Sequence, residues 1–227
     1  MKKHTLFIVF IISIALIIGI WRESHEDALV PGKKQFSQQS FQQSAQPPLS
    51  SGVLFPTAKK LPVFRFEDMN TQVFNNSAFE KHWSFVFFGY TACPEICPTT
   101  LSNLQAVAQR LRAGPLVQYV FISIDPEHDT ASELKTYFSQ ARFKDTPFIG
   151  VTGNKENILS FAESLGIHAA SQRETGAEHL AHGGSLLVIN PDGEFCALFT
   201  SSEKASLIAH DFKEIMHQYA KATRLNS

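Results

Sequence analysis

Apolar and polar residues follow patterns along this chain that predict a series of strands and helices. A continuous apolar run at residues 84–88 is typical of a strand buried on both faces, as in a parallel sheet. The next segment has apolar residues at helical spacing, and Gly114 marks the end of the helix that they predict. Those helical positions are Leu101, Leu104, Val107, Ala108 and Leu111.

The same reasoning predicts further elements toward the C-terminus. A capping box at Thr130–Glu133 begins a second helix, and a third begins at Asn154 and stops at Gly166. The turn sequence Asn190–Gly193 joins two apolar runs into a hairpin. A last helix carries apolar residues from Leu207 to Tyr219. The strands predicted from apolar runs lie at 63–66, 117–124, 148–151, 185–189 and 194–199.

From residue 84 onward, the predicted order of elements is βαβαβαββα. This order predicts an α/β domain of three layers, with helices on both faces of one sheet. The closing hairpin makes the sheet mixed rather than fully parallel. A thioredoxin-like fold has this order of elements.

The N-terminal part of the chain has a different composition. Lys2 and Lys3 precede an uncharged apolar stretch, Thr5–Trp21, which at 1.5 Å per residue would span about 25 Å. We predict a single transmembrane anchor at residues 1–21, with the short N-terminus in the cytoplasm because positive charges precede the stretch. A cleaved signal peptide is the alternative, but no small-residue cleavage site follows Trp21.

Residues 22–54 are rich in Gln, Ser and Pro and predict a flexible linker that cannot bury enough apolar surface to fold. Residues 55–227 are then the folded domain, and the twenty Phe of the chain can supply a substantial core. The net charge of −1 gives no reason to propose nucleic acid as a partner. The anchor and its short N-terminus favour a bacterial inner membrane, with the domain in the periplasm.

Two cysteines, Cys93 and Cys97, lie where the strand at 84–88 turns into the following helix. Free backbone N–H groups and the helix dipole favour thiolate at such a position. The spacing puts both side chains on one helical face, so that they can form a disulfide or share one metal ion. A purely structural disulfide is disfavoured, because Pro94 and Pro98 place the pair in an exposed turn.

A third metal ligand has to come from elsewhere in the chain. The chain has no second cysteine pair, which excludes a four-cysteine zinc site, and its third cysteine, Cys196, lies on a strand and is predicted to be a core residue. His179 and His182 lie in the loop that enters the strand at 185–189, and Gly183 and Gly184 allow that loop to approach the cysteine turn closely. Two thiolates and one imidazole suit copper, and zinc would accept the same donors. The other histidines are predicted to be solvated or packed.

Three segments carry a resemblance to a known family. Residues 87–101, with Cys93 and Cys97, resemble the signature of the Sco/SenC proteins, which are membrane-anchored copper proteins that assist assembly of the copper A site of cytochrome c oxidase. Residues 121–130 resemble a second block of that family. His182, nine residues before Pro191, falls where the family has its metal-binding histidine.

The resemblance implies Cys93, Cys97 and His182 as copper ligands. It also implies Asp125 as a group beside those ligands, although Asp125 equally suits a cap of the turn after its strand. The chain departs from the family pattern at Ala181, where the family has Asp, and at Glu95, also usually Asp. Loss of a carboxylate beside the ligand loop weakens or reorients metal binding, which leaves His179 open as an alternative ligand.

The leading hypothesis is therefore a copper metallochaperone rather than an enzyme. It would receive copper from an upstream copper donor and pass it to the copper-binding subunit of cytochrome c oxidase. The second hypothesis is a thiol–disulfide reductase that keeps the cysteines of that subunit reduced, and a third is a copper or redox sensor. Against the reductase, Gly183 and Gly184 occupy the place where thioredoxin-like reductases keep a proline.

Overall fold

The computed structural model of the protein describes residues 49–112, 117–167 and 184–225. These residues belong to one compact unit that begins at Leu49. The predicted anchor at 1–21 and most of the predicted linker at 22–54 lie outside the described residues, as does Gly114. Within those three ranges, no helix is both long enough and apolar enough to span a membrane.

The unit is built around one eight-stranded mixed sheet. Its strand order is β1-β8-β7-β4-β5-β6-β2-β3, with β4, β5 and β6 parallel and every other neighbouring pair antiparallel. The strands are β1 (Gly52–Lys60), β2 (Arg65–Asp68), β3 (Val73–Asn75), β4 (Trp83–Gly89), β5 (Val117–Ser123), β6 (Phe148–Thr152), β7 (Ser185–Ile189) and β8 (Glu194–Thr200). The helices are α1 (Ile96–Leu111), α2 (Ala131–Phe138), α3 (Lys155–Ser164) and α4 (Ala205–Leu225).

The central strand β4 is buried along its whole length because helices or aromatic side chains cover both faces of the sheet. Its alternate residues point to opposite faces. Phe85 and Phe87 pack with α1, α2 and α4, whereas Val86 and Phe88 pack with α3 and with aromatic residues of the β2–β3 region. The predicted three-layer α/β architecture with a mixed sheet is therefore confirmed.

The elements predicted from residue 84 onward are all present in the predicted order. The predicted starts of two helices are confirmed. The Thr130 hydroxyl accepts a hydrogen bond from the Glu133 N–H at 3.3 Å, and the Asn154 side chain accepts one from the Asn157 N–H at 3.0 Å. Gly166 follows α3 with a φ of 78°, as expected of a helix stop.

The N-terminal strands differ more from the sequence pattern. The strand predicted at 63–66 begins only at Arg65, because the Phe64 N–H donates to the Asn76 side chain at 3.1 Å instead of to a neighbouring strand. β1 and β3 were not predicted. β1 includes residues 52–54, which the composition groups with the linker, and its register with β8 shifts between Leu54 and Lys59. That shift breaks the alternation by which a strand is recognised.

The first residues of the unit are fastened to helix α4. The Ser51 N–H and the Ser51 hydroxyl both donate to the Asp211 carboxylate, at 2.7 and 2.9 Å. Asp211 is only 2% exposed, so these two hydrogen bonds offset the cost of burying its charge. The carboxylate thus holds the residues that lead into β1 against helix α4.

Candidate metal centre

Cys93 and Cys97 lie at the carboxyl end of the central strand, as the sequence predicts. β4 ends at Gly89, and α1 begins at Ile96. Cys93 is half-buried in the turn between them, and its N–H donates to the Tyr90 carbonyl at 3.2 Å. Cys97 is buried in the first turn of α1, and its N–H donates to the Cys93 sulfur at 3.3 Å. Both cysteines are reduced, so the pair is a dithiol.

The two thiols have different proton affinities. The pKa of Cys93 is lowered from 9.0 to about 5, chiefly because its sulfur accepts a hydrogen bond from the Cys97 side chain and also because backbone N–H groups at the start of α1 face it. The pKa of Cys97 is raised, because that same hydrogen bond keeps its proton in place and because the group is buried. The reduced pair therefore holds one proton on Cys97 and one negative charge on the more exposed Cys93.

This assignment predicts the pH dependence of alkylation. Cys93 should react with iodoacetamide at a rate that is constant from about pH 6 to 9 and falls about tenfold per pH unit below pH 5, since only thiolate is nucleophilic. An ordinary thiol would instead gain about tenfold per pH unit up to pH 8.5. The measurement is mass spectrometry of the alkylated peptide, with urea-unfolded protein as the control. A rate that still rises between pH 7 and 8.5 in the folded protein would contradict the assignment.

The buried sulfur of Cys97 lies directly against the strand backbone. A Cβ atom at Gly89 would be 2.9 Å from the Cys97 sulfur and 2.9 Å from the Phe121 ring. Real Cβ atoms do not approach other atoms so closely, so glycine is required at the end of β4 for α1 to begin where it does. The position of this glycine sets how deeply the second thiol is buried.

A buried carboxylate, Asp129, binds the turn that carries Cys93. Asp129 accepts hydrogen bonds from the Thr91 N–H at 2.9 Å, the Thr91 hydroxyl at 2.5 Å and the Ser123 hydroxyl at 2.7 Å. Asp129 was not predicted from the sequence, in which Asp125 was the candidate. The signal for Asp129 was its position directly before Thr130, the N-terminal cap of α2, at the same sheet edge as the cysteine turn.

Asp125 caps the turn after its strand, which is one of the two roles that the sequence suggests for it. Its carbonyl accepts hydrogen bonds from the N–H groups of His128 and Asp129, at 3.1 and 2.8 Å, directly after β5. Its carboxylate contacts Nδ1 of His128 at 2.8 Å, and its N–H donates to the Ser123 hydroxyl at 3.1 Å. Asp125 thus stabilises the turn after β5, and Asp129 binds the turn that carries Cys93.

The loop that enters β7 reaches the cysteine helix at Gly184. The Gly184 carbonyl accepts a hydrogen bond from the Ser201 N–H at 2.7 Å, and the Thr100 hydroxyl donates to the Ser201 hydroxyl at 3.0 Å. A Cβ at Gly184 would lie only 1.9 Å from Ser201 Oγ and 2.3 Å from Thr100 Oγ1. Gly184 therefore lies close against the helix that begins with the cysteines, whereas residues 168–183 of the loop, for which the sequence predicts an approach to the cysteine turn, lie outside the described residues.

Of the remaining candidate ligands, the two histidines lie outside the described residues and Cys196 lies within them. His179, His182 and the neighbouring Gly183 lie outside the described residues. Within the ranges described, no group of three His, Cys, Asp or Glu side chains could hold a metal ion. Cys196 is buried, its thiol donates to the Val188 carbonyl at 3.4 Å, and burial raises its pKa to about 12. The prediction that Cys196 is a core residue is confirmed.

The fold and the cysteine turn together define the class of protein. This is a thioredoxin-like domain with a reduced Cys-x-x-x-Cys pair at the turn from the central strand into the first helix. Residues 56–217 match the SCO1/SenC family model. The chain therefore belongs to the Sco/SenC family, as its motifs suggested.

Individual relatives agree with this assignment. A Stutzerimonas stutzeri protein named for copper binding is 38% identical over 144 residues, covering 62% of this chain and 69% of its own length. The structure of Arabidopsis thaliana ScoI with copper bound is 27% identical, with a TM-score of 0.60, and covers 69% of this chain and 98% of that chain. BsSco, a member of the Sco family of cytochrome c oxidase assembly proteins, has a TM-score of 0.62 at 18% identity and supports the fold alone. That match covers 72% of this chain and 96% of BsSco.

Proposed function

We propose that this chain is a copper metallochaperone that binds copper through Cys93, Cys97 and His182 and assists assembly of the copper A site of cytochrome c oxidase. The observation that carries the proposal is the reduced pair at the β4–α1 turn, with a thiolate at Cys93 and a thiol one helical turn away. Thiolates are the donors that Cu(I) prefers, and two of them facing one point need only one further ligand. The copper-bound structure of the Arabidopsis relative supports the same metal.

Chain connectivity supports His182 as the third ligand. Gly184 is fixed against Thr100, on the helix that begins with the cysteines, and against Ser201, which directly follows β8. Two residues of extended chain span at most about 7 Å, so the backbone of His182 is tethered near that contact. His179 is five residues from Gly184 and is restrained only to within about 18 Å by the same limit. The shorter connection to Gly184 therefore favours His182 over His179 as the third ligand.

Loading can be tested directly with the reduced full chain, purified in detergent. We expect one Cu(I) per chain, and no binding after the two cysteines have been oxidised to a disulfide. Cys196→Ser is the matched control, because Cys196 is buried beside Val188, which pairs with Phe85 and not with the end of β4 that leads to the cysteines. Its replacement should leave the stoichiometry unchanged. Absence of Cu(I) binding by the reduced chain would refute the proposal.

A thiol–disulfide reductase remains the second candidate, because a specific observation favours it. The half-exposed Cys93 carries the thiolate, and the buried Cys97 keeps its proton, which is the arrangement of an attacking and a resolving thiol.

Deleting the gene and assaying cytochrome c oxidase separates the two activities. Rescue by added copper supports delivery, whereas rescue only by an external reductant supports the reductase. A sensor would leave oxidase activity unchanged in the deletion strain.

We also propose that residues 1–21 anchor the chain in the bacterial inner membrane and that residues 22–54 link the anchor to a periplasmic domain. The apolar stretch Thr5–Trp21 and the preceding Lys2 and Lys3 support this arrangement. An anchored position would hold the dithiol near a membrane-bound oxidase subunit and near the upstream copper donor.

The anchor predicts where the chain is found after cell fractionation. The full chain should sediment with membranes and keep the mass of the complete sequence, because an uncleaved apolar segment does not leave the bilayer. A variant that lacks residues 2–21 should appear in the soluble fraction. Recovery of a shortened chain that begins after Trp21 would instead show that the segment is a cleaved signal peptide.

A further inference from the structure

We propose that Asp129 is the positioning residue of the cysteine pair: it holds the β4–α1 turn in the conformation in which the two sulfurs face each other. This inference deepens the proposed function and rests on the pair acting as one site. Asp129 touches neither sulfur through a hydrogen bond of its carboxylate, whose bonds go to Thr91 and Ser123. Its charge helps to raise the pKa of Cys97, but its hydrogen bonds reach the dithiol through the backbone of the turn, and Thr91→Val tests that second route with the charge kept.

The geometry joins two elements that are distant in sequence. Both oxygens of the Asp129 carboxylate are used: Oδ1 accepts from the Thr91 hydroxyl, and Oδ2 accepts from the Thr91 N–H and the Ser123 hydroxyl. Thr91 is two residues before Cys93, and Ser123 is the last residue of β5. One carboxylate thus fastens the cysteine turn to the end of the neighbouring parallel strand.

The burial of Asp129 makes this arrangement specific. Asp129 is 1% exposed, and a buried carboxylate is tolerated only when hydrogen bonds replace its water. All three donors point at the carboxylate, whereas an amide in its place has one oxygen and an NH₂ group, so at least one hydroxyl would have to turn round and accept. Asp129→Asn therefore keeps the size of the side chain but cannot make the same three bonds. The turn before Cys93 would then be held less tightly.

A looser turn changes the chemistry of the pair in a predictable direction. The cysteines form a disulfide when the Cys93 thiolate attacks one sulfur of glutathione disulfide and Cys97 then displaces the bound glutathione. The products are one intramolecular disulfide and two molecules of glutathione, so the dithiol is oxidised by two electrons and glutathione disulfide is reduced by two. The equilibrium favours the intramolecular disulfide in proportion to how well the two sulfurs are held together. Asp129→Asn should therefore weaken the intramolecular disulfide.

The experiment is a glutathione redox titration of the metal-free full chain, read out by alkylation and mass spectrometry of the peptide that contains both cysteines. We expect Asp129→Asn to lower the equilibrium constant for disulfide formation about tenfold, which for a two-electron couple is about 30 mV. Thr91→Val removes one of the three hydrogen bonds at constant shape and should lower the constant in the same direction by a smaller factor. This second variant decides the question if Asp129→Asn does not fold.

The matched control is Asp211→Asn. Asp211 is an equally buried carboxylate that accepts two hydrogen bonds from Ser51, so its replacement should lower the melting temperature without changing the redox equilibrium. A folded Asp129→Asn whose equilibrium constant stays within twofold of the wild type would overturn the proposal, and so would an equal fall in Asp211→Asn. Copper binding by the wild type is measured separately, so a failed metallochaperone proposal is distinguishable from a failed role of Asp129.

Discussion

Replacing Cys97 with serine is expected to reduce the affinity for Cu(I) by more than about 100-fold. Removing even an outer partner of a metal ligand typically costs 10–100-fold, and this change removes a ligand itself. Serine presents a hard hydroxyl that stays protonated, whereas Cu(I) prefers soft thiolate. The serine hydroxyl can still donate to the Cys93 sulfur in place of the S–H group, so the pKa of Cys93 should stay below its ordinary value.

The lost affinity and the retained Cys93 thiolate can be measured on one protein. Competition with a Cu(I) chelator gives the affinity, and the pH dependence of iodoacetamide alkylation follows the Cys93 thiolate. Cys196→Ser controls for loss of a thiol elsewhere, because Cys196 lies in the core and its thiol donates to the Val188 carbonyl. Wild-type affinity in Cys97→Ser would exclude Cys97 as a ligand.

Replacing His182 with alanine is expected to weaken Cu(II) binding by at least about 10–100-fold, the range seen when a ligand loses only its outer partner. Cu(II) accepts imidazole nitrogen readily, whereas two thiolates satisfy much of what Cu(I) requires. The affinity for Cu(I) should therefore fall much less than the affinity for Cu(II). Both affinities are measured by chelator competition on the same preparation.

The matched control for this prediction is His179→Ala, three residues earlier in the same loop. We expect His179→Ala to bind Cu(II) as the wild type does, because Gly184 restrains His182 more closely than His179. The reverse outcome would assign the third ligand to His179. Undiminished binding in both variants would remove histidine from the ligand set.

The parts of the fold that could be predicted from sequence are those with local signals. β4 is an unbroken apolar run, α2 and α3 begin with side-chain caps, and the β7–β8 hairpin has a turn sequence of its own. β1 could not be predicted, because its register shift interrupts the alternation. β3 has three residues, which is too short for any period to be visible.

The cysteines of the candidate site were predictable, but their environment was not. Strand, turn and helix are local patterns, and they place Cys93 and Cys97 together. The bond from Thr91 to Asp129 joins residues 38 positions apart and depends on the parallel pairing of β4 with β5. Which thiol carries the charge depends on burial and hydrogen-bond direction, which spacing along the chain does not specify.

The location of the third thiol has a consequence for oxidation of the chain. A chain with three accessible thiols could form three different intramolecular crosslinks, two of them wrong. Because Cys196 is shielded within the sheet and keeps its proton at physiological pH, only one crosslink can form without unfolding. Repeated cycles of oxidation and reduction would then return the chain to a single state each time, with no need for an isomerase to correct errors.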